Sequence, residues 1–395
     1  MATLLSPTII AKEVLMQIVN SMAMARHVHT AYKNEFVKKG STITIRKPNK
    51  FRETKAEAIS KTAIVEPSTS ITVATQGHVA WEFTSQELTL IIEEYSRRYL
   101  QPASLAIANG TDADLCALYA DVYNSVGTPG TTPATFAALG AAQQRLDDEA
   151  VPSDTRVGIL NPAANWALAD GLKGTFAQHV AESIITKGYL GVIANLALYM
   201  DQNVVRHTTG HFTSGATPLM NGATANGATS VVTDGWDAGN NTVKKGDVFT
   251  IAGVYAVNPM SGQSTGVLRQ FVVTADTTSS GGAMTIPISP VIQSTGAYQT
   301  VSALPADNAA LSFMGTQDTA YPQNLVYHPN AFALVTVPLE MPSGVWGARE
   351  TDPEAGLSVC VIKDFNIETY KEICRLDILR GVKTLYPEFA VRIWG

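Results

Sequence analysis

Residues 206 to 317 differ in kind from the rest of this chain, and that contrast limits the available architectures more than any other feature. The interval holds 14 of the 30 glycines, is thick with Thr and Ser, and carries only four Lys or Arg. Alternating runs at Asp247–Val254, Leu268–Ala275 and Met284–Ile288 are separated by Gly-, Asn- and Ser-rich turns, the pattern of strands joined by hairpins. No helix is signalled there. On both sides the pattern mixes helices with strands. The interval therefore reads as a small all-β barrel or sandwich inserted into an α+β domain that the C-terminal part completes.

The flanks supply the rest of that α+β reading. Ser6-Pro7 followed by Thr8–Ala25 predicts a capped amphipathic helix with Ile10, Val14, Leu15, Ile18 and Met22 on one face. It either packs on its own body or docks on a partner as an arm. Ser41–Arg46, Ser70–Thr75 and His78–Phe83 alternate as strands. Between the first two lies a charged excursion with Arg46, Lys47, Lys50, Arg52, Lys55 and Lys61 against Glu53 and Glu57. With so little apolar content it is expected to project as a long two-stranded loop, either solvated or bound to a partner. Thr84–Tyr99 predicts a short helix.

Gln101–Gly127 predicts a long helix of roughly 40 Å at about 1.5 Å per residue. Leu115, Leu118, Tyr119 and Val122 fall on its apolar arc, and Asn109-Gly110 marks a weak point where Thr111-x-x-Asp114 can restart it around a bend. It reads as either an ordinary core helix or a structural strut. Pro133–Glu149 predicts another helix, Arg156–Leu160 a buried strand, and Leu196–Met200 another strand. After Tyr321, Leu357–Ile362 and Ile367–Ile378 look like one hairpin, and Ala390–Trp394 closes the chain.

Composition and motifs exclude several functions. With 45% hydrophobic and 16% charged residues and no long apolar run, the chain is expected to be globular, to stay in a cytoplasm and to have partner-covered surface. The net charge of −6 argues against a surface that grips nucleic acid throughout. Cys116, Cys360 and Cys374, odd in number and widely spaced, read as buried thiols. Gly262–Gly266 matches Gly-x-Ser-x-Gly, but strands are expected on both sides where a nucleophile elbow needs a following helix. His207 and His211 have i, i+4 spacing, yet Thr208-Thr209-Gly210 favours a loop. Asp112 and Asp114 are expected near a helix start, serving capping and the dipole. No nucleophile, base and orienter occur at a recognisable spacing, so neither an enzyme nor a cofactor is expected.

Several stretches together resemble the major coat proteins of tailed bacteriophages. The family is that of the short-tailed Salmonella phages, whose Hong Kong ninety-seven type fold carries an inserted β-barrel. The most specific pieces are VKKGDVFTIAGVYAVNP at Val243–Pro259 and LRQFVVTAD at Leu268–Asp276. VGILNPAANWAL at Val157–Leu168, KGYLGVIANLALYMDQNV at Lys187–Val204 and CRLDILRGVKTLYPEFAVRI at Cys374–Ile393 support them.

The resemblance implies a phage major capsid fold with an N-terminal arm at 1–35 and an extended β-hairpin loop with flanking strands at 36–80. A peripheral domain with the spine helix would follow at 81–127, the axial domain at 128–205, and the inserted β-barrel at 206–317. The axial domain would resume at 318–373, and peripheral closing strands would end the chain at 374–395. It further implies a virion capsid subunit that forms hexamers and pentamers of an icosahedral shell. The implied partners are a scaffolding protein, a portal protein, packaged double-stranded DNA held weakly, and a candidate decoration protein.

Charge then suggests that Arg46, Lys47, Lys50, Arg52 and Lys55 meet an acidic stretch of a neighbour. Asp147, Asp148 and Glu149, or Asp352 and Glu354, are the candidates. Asn109 and Gly110 become a candidate hinge. The competing reading is a β-barrel carbohydrate-binding or adhesin-type protein, which explains 206–317 but not the basic loop.

Overall fold

The computed structural model describes residues 7–32, 42–53, 57, 64, 66–84, 96–172, 190–212, 216–239, 241–341, 344–352, 356–368 and 371–395. Ser6, Lys55, Lys61, Glu354 and most of the helix expected over Thr84–Tyr99 lie outside them. In chain order come α1 (Pro7–Ser21), β1 (Thr42–Arg46), β2 (Ser68–Thr72), β3 (Thr75–Thr84) and α2 (Gln101–Cys116). Then follow β4 (Ser125–Val126), α3 (Phe136–Asp148), β5 (Val157–Leu160), α4 (Pro162–Leu172), β6 (Val192–Ile193), β7 (Leu196–Met200) and β8 (Arg206–Thr208). β9 (Leu219–Met220), β10 (Ala228–Asp234), β11 (Thr242–Val243), β12 (Val248–Val257), β13 (Ser264–Val273), β14 (Thr277–Thr278), β15 (Met284–Ile292) and β16 (Leu311–Phe313) succeed them. The last strands are β17 (Ala320–Pro322), β18 (Asn324–Tyr327), β19 (Phe332–Thr336), β20 (Trp346–Asp352), β21 (Leu357–Asn366), β22 (Lys371–Thr384) and β23 (Ala390–Ile393). The chain divides into two compact units, one of Met1–Lys47, Ser68–Cys116 and Phe332–Leu385, the other of Pro48–Pro67, Ala117–Ala331 and Tyr386–Gly395.

In the first unit β22 is the central strand. It pairs with β3 along one edge, and with β21 and then β19 along the other. The expected hairpin of β21 and β22 forms, and β22 continues to Thr384. β1 and β2 form an antiparallel ladder from Thr42↔Thr72 to Arg46↔Ser68. Helix α1 buries Ile10, Val14, Leu15 and Ile18, the face its spacing predicts, and packs on α2, β20 and β21. Within the subunit it thus packs on its own body.

Helix α2 corrects the expected 101–127 helix. It ends at Cys116, a 3₁₀ turn spans Ala117–Asp121, and Ser125–Val126 is already a strand. Strand bonding wins there, because Ser125 and Val126 pair in parallel with Arg392 and Ile393. The Gln270 side chain also takes both the Ser125 N–H, at 2.7 Å, and its carbonyl, at 2.9 Å. Gly127, at φ +85°, closes the turn where a Cβ would lie 2.5 Å from the Trp394 carbonyl oxygen. The expected restart at Asn109-Gly110 is absent. The helix runs through it, with the Thr111 hydroxyl bonded back to the Ile107 carbonyl at 2.9 Å. Asp112 and Asp114 are therefore interior helix residues and not part of a helix start.

The second unit holds two six-stranded sheets among the described residues. A six-stranded sheet in the order β4-β23-β18-β5-β7-β6 packs on α3 and α4 through Leu139, Leu146, Leu160, Leu168, Val326 and Val391. Thr135 caps α3 by accepting the Ala138 N–H. The inserted interval forms a second sheet in the order β16-β12-β13-β15-β10-β9. It is drawn into a barrel by the antiparallel bridge Leu219↔Ala310 and the Leu311 N–H to Pro218 carbonyl bond. Phe249, Phe271, Phe212, Trp236 and Ile286 fill it.

Candidate assembly surface

The basic segment is built on the β1–β2 ladder, which ends at Arg46. The Lys47 ammonium donates to the Leu385 carbonyl. In the other unit, the stretch from Asn49 to Arg52 lies along residues 298 and 299 of its own chain. The Tyr298 hydroxyl donates to Asn49 Oδ1 at 3.0 Å and accepts the Lys50 N–H at 3.3 Å. Arg52 Nη1 donates to Gln299 Oε1 at 2.7 Å, and Lys50 Nζ stands 3.9 Å from Glu388. The expected free projection is thus corrected for this stretch. A local signal for fold-back was missing because its partners are polar side chains about 250 residues away, which apolar periodicity does not register. Phe51 between them is 69% exposed.

The acidic candidates separate. Glu149 is buried and bonded to Arg269 at 2.6 Å, so it is taken within the subunit and is withdrawn as a partner for a neighbour's cation. Asp147 pairs with Arg156 at 2.6 Å through a side chain that is 62% exposed. Burial pushes the Asp148 carboxyl above its ordinary range, Arg145 pulls it down, and Glu149 and Asp147 push it further up. Asp352 lines a groove of about 310 Å³ with Glu350 and Thr351 of β20 and with Lys12, Met16 and Val19 of α1.

On the expected spine face Leu115, Tyr119 and Val122 are buried and Leu118 is half-buried, although only Leu115 belongs to α2. Asn124 is fully buried and accepts from Arg145 Nε at 3.1 Å. Gly110 sits against Arg380, whose Nη2 donates to its carbonyl at 3.2 Å and whose guanidinium pairs with Asp114 at 2.7 Å.

The residues weighed for chemistry are occupied structurally. His207 is buried between Asp247 Oδ1, at 2.8 Å from Nε2, and the Tyr119 hydroxyl, at 3.0 Å from Nδ1. His211 meets Asp318 at 2.5 Å. Among the described residues no group of three or more His, Cys, Asp or Glu is arranged to hold a metal ion. Gly262 and Gly266 flank the start of β13, at φ +73° and +75°, so Ser264 opens a strand. No described helix is long and apolar enough to cross a membrane. What remains is a surface of charged and apolar contacts.

A family model described as P22 coat protein, gene protein 5, matches residues 1–395. The chain belongs to the P22 coat protein family. It is therefore a phage major capsid protein, a structural subunit of an icosahedral shell located in the virion capsid, with the α+β fold and inserted barrel of that class. A match over all 395 residues sets aside the adhesin-type alternative.

No curated protein matches the coat protein chain in sequence. Among solved structures, Mycobacterium phage Che8 shares 13% identity over 94% of this chain and 90% of its own, at TM-score 0.49. The capsid of cyanophage P-SCSP1u shares 10% over 94% and 86%, at TM-score 0.42. The CUS-3 coat protein I-domain shares 24% identity with 26% of this chain and 99% of its own, at TM-score 0.20.

Proposed function

We propose that this coat protein forms hexamers and pentamers around a scaffolding protein in the host cytoplasm. The resulting shell takes a portal protein, accepts a decoration protein and encloses double-stranded DNA. The family match over the whole chain carries this reading. The chain's net charge of −6 keeps the contact with DNA weak and sequence-independent. The role is architectural, without turnover of a substrate. The segments act as arm (1–35), extended loop (36–80), peripheral domain (81–127 and 374–395), axial domain (128–205 and 318–373) and inserted barrel (206–317).

Within that assembly, Arg46, Lys47, Lys50, Arg52 and Lys55 meet the acidic surface of a neighbour. The groove beside α1 with Glu350 and Asp352 is favoured over the α3 end, because Glu149 is already bonded to Arg269. Exposed ion pairs contribute about 0.2–1 kcal/mol each, weak enough singly to be reversible and additive over many subunits. Sedimentation of the purified full-length protein tests both levels. The unaltered chain should yield particles of many megadaltons, and a persistent monomer or dimer would count against the shell. Changing Arg46, Lys47 and Lys50 together to Glu should lower the assembled fraction at least ~10-fold while the monomer stays folded. Normal particles from that variant would remove the basic segment from the interface.

Asn109 and Gly110 act as a flexing point during shell expansion. A Cβ at Gly110 meets Arg380 Nη2 at 3.5 Å, an ordinary contact, so Gly110→Ala fits. Helix preference then stabilises the subunit by roughly 0.5–1 kcal/mol. Expansion on heating should slow in shells of this variant, and an unchanged rate would exclude the flexing role.

A further inference from the structure

Two arginines in strand interiors of the second unit are fully buried, and they are compensated differently. Arg269 on β13 touches the Glu149 carboxylate at 2.6 Å. Burial alone would lower its pKa, yet Glu149, with Tyr123, holds it above the ordinary value. Arg392 on β23 touches no carboxylate among the described residues. Its Nη1 donates to the Gly246 carbonyl at 2.7 Å and reaches Gln323 Oε1 at 3.5 Å. Its guanidinium carbon lies 5.2 Å from the centre of the Tyr119 ring, while Nε and Nη2 have no hydrogen-bond partner among the described residues.

The nearest acids act on Arg392 only at a distance. Asp247 is bonded to His207 Nε2 and to the backbone N–H groups of Gly210 and Lys244, and Asp121 pairs with Lys245. Burial accordingly pushes Arg392 down to about 10, and Tyr119, Asp247 and Asp121 offset only part of this. It remains a cation at neutral pH.

Arg392 lines a cavity of about 10 Å³, room for a single water-sized occupant. Trp394 lines it too, and its buried indole Nε1 also lacks a partner. Pro129, Val248 and Met314 supply apolar wall, and Asp247, its carboxylate already bonded to His207 and to the Gly210 and Lys244 N–H groups, lines it as well. The unpartnered side-chain atoms there are N–H donors, two of them on a cation. A water would accept from them but leave the charge only partly compensated, and sulfate or phosphate is too large.

We infer that this cavity binds one small monovalent inorganic anion, chloride in ordinary buffers, held by the Arg392 guanidinium and the Trp394 indole N–H. The anion does for Arg392 what Glu149 does for Arg269.

The test uses the full-length protein at constant ionic strength, with sodium chloride exchanged for sodium methanesulfonate, whose anion is too bulky to enter. The thermal midpoint should rise with chloride and saturate, with a linkage slope of about one ion per chain. Trp394→Phe keeps a ring in place but deletes the donor, and should raise the half-saturating chloride concentration at least ~10-fold. Arg392→Met should abolish the dependence. Crystals soaked in bromide should show an anomalous peak beside Arg392. A midpoint indifferent to chloride, or a dependence unaltered in Trp394→Phe, would overturn the site. If neither variant folds, the bromide peak in the unaltered chain decides, and its absence leaves a water as the occupant.

Discussion

Replacing Glu149 with Ala is expected to destabilise the subunit by about 3–5 kcal/mol, the loss typical when one member of a buried ion pair is removed. Glu149 caps the end of α3 and meets Arg269 of the barrel at 2.6 Å, with both side chains almost entirely covered. Arg145 is buried beside them. Burial lowers its pKa, Glu149 raises it, and Arg269 lowers it again. One carboxylate thus serves two buried guanidiniums.

An asymmetry follows. Glu149→Ala strands two cations, whereas Arg269→Met leaves the carboxylate facing Arg145, so the first should be worse by about 1–2 kcal/mol. Changing both, Glu149→Leu with Arg269→Met, should recover much of the loss because the desolvation of the pair goes with it. Urea unfolding of the unassembled subunit measures all three. A cost for Glu149→Ala below that of Arg269→Met would show that the cluster does not hang on this carboxylate.

Asp112→Ala is expected to lose about 3–6 kcal/mol, two charge-assisted bonds at about 1.5–3 kcal/mol each. The Asp112 carboxylate is 2% exposed and accepts the backbone N–H groups of Ala23 at 2.7 Å and Ala25 at 2.9 Å. It fixes the chain as it leaves α1. Without it, the buried Ala25 donor and the part-buried Ala23 donor both lose their acceptor. Asp112→Asn keeps one acceptor but turns an amide N–H₂ toward the other donor, so it should lose roughly half as much. Hydrogen exchange at Ala23 and Ala25 should accelerate with the equilibrium loss. Unchanged exchange at both amides would assign the stability change to another part of α2.

The elements most legible in the sequence are those set by a single periodicity. The α1 face follows from a spacing of 3.6 that burial then satisfies, and the β1–β2 ladder, the β21–β22 hairpin and barrel strands β12, β13 and β15 from alternating or apolar runs. The end of α2 was not legible, because the pull on Ser125 comes from Gln270 and β23, far along the chain. The same holds for the basic segment, whose tie to Tyr298 and Gln299 leaves no local trace.

Arg269 and Arg392 did leave a signal that was passed over. Each is a lone cation inside an apolar strand run, in LRQFVV and AVRIW, where the flanking burial obliges a buried partner. Asp112 reads as a cap because its real acceptor role lies on a segment 89 residues earlier.

Strand β22 has a mechanical consequence. Its 14 residues extend for roughly 45 Å at about 3.3 Å each, nearly twice the roughly 24 Å of the 16-residue α2. The longest described element of the first unit is therefore a strand. A pull along β22 meets its ladders with β21 and β3 sideways, since antiparallel bonds run across the strands. Those bonds must fail together and cannot be peeled one at a time. Tension carried lengthwise through a subunit would find this strand the last part to yield.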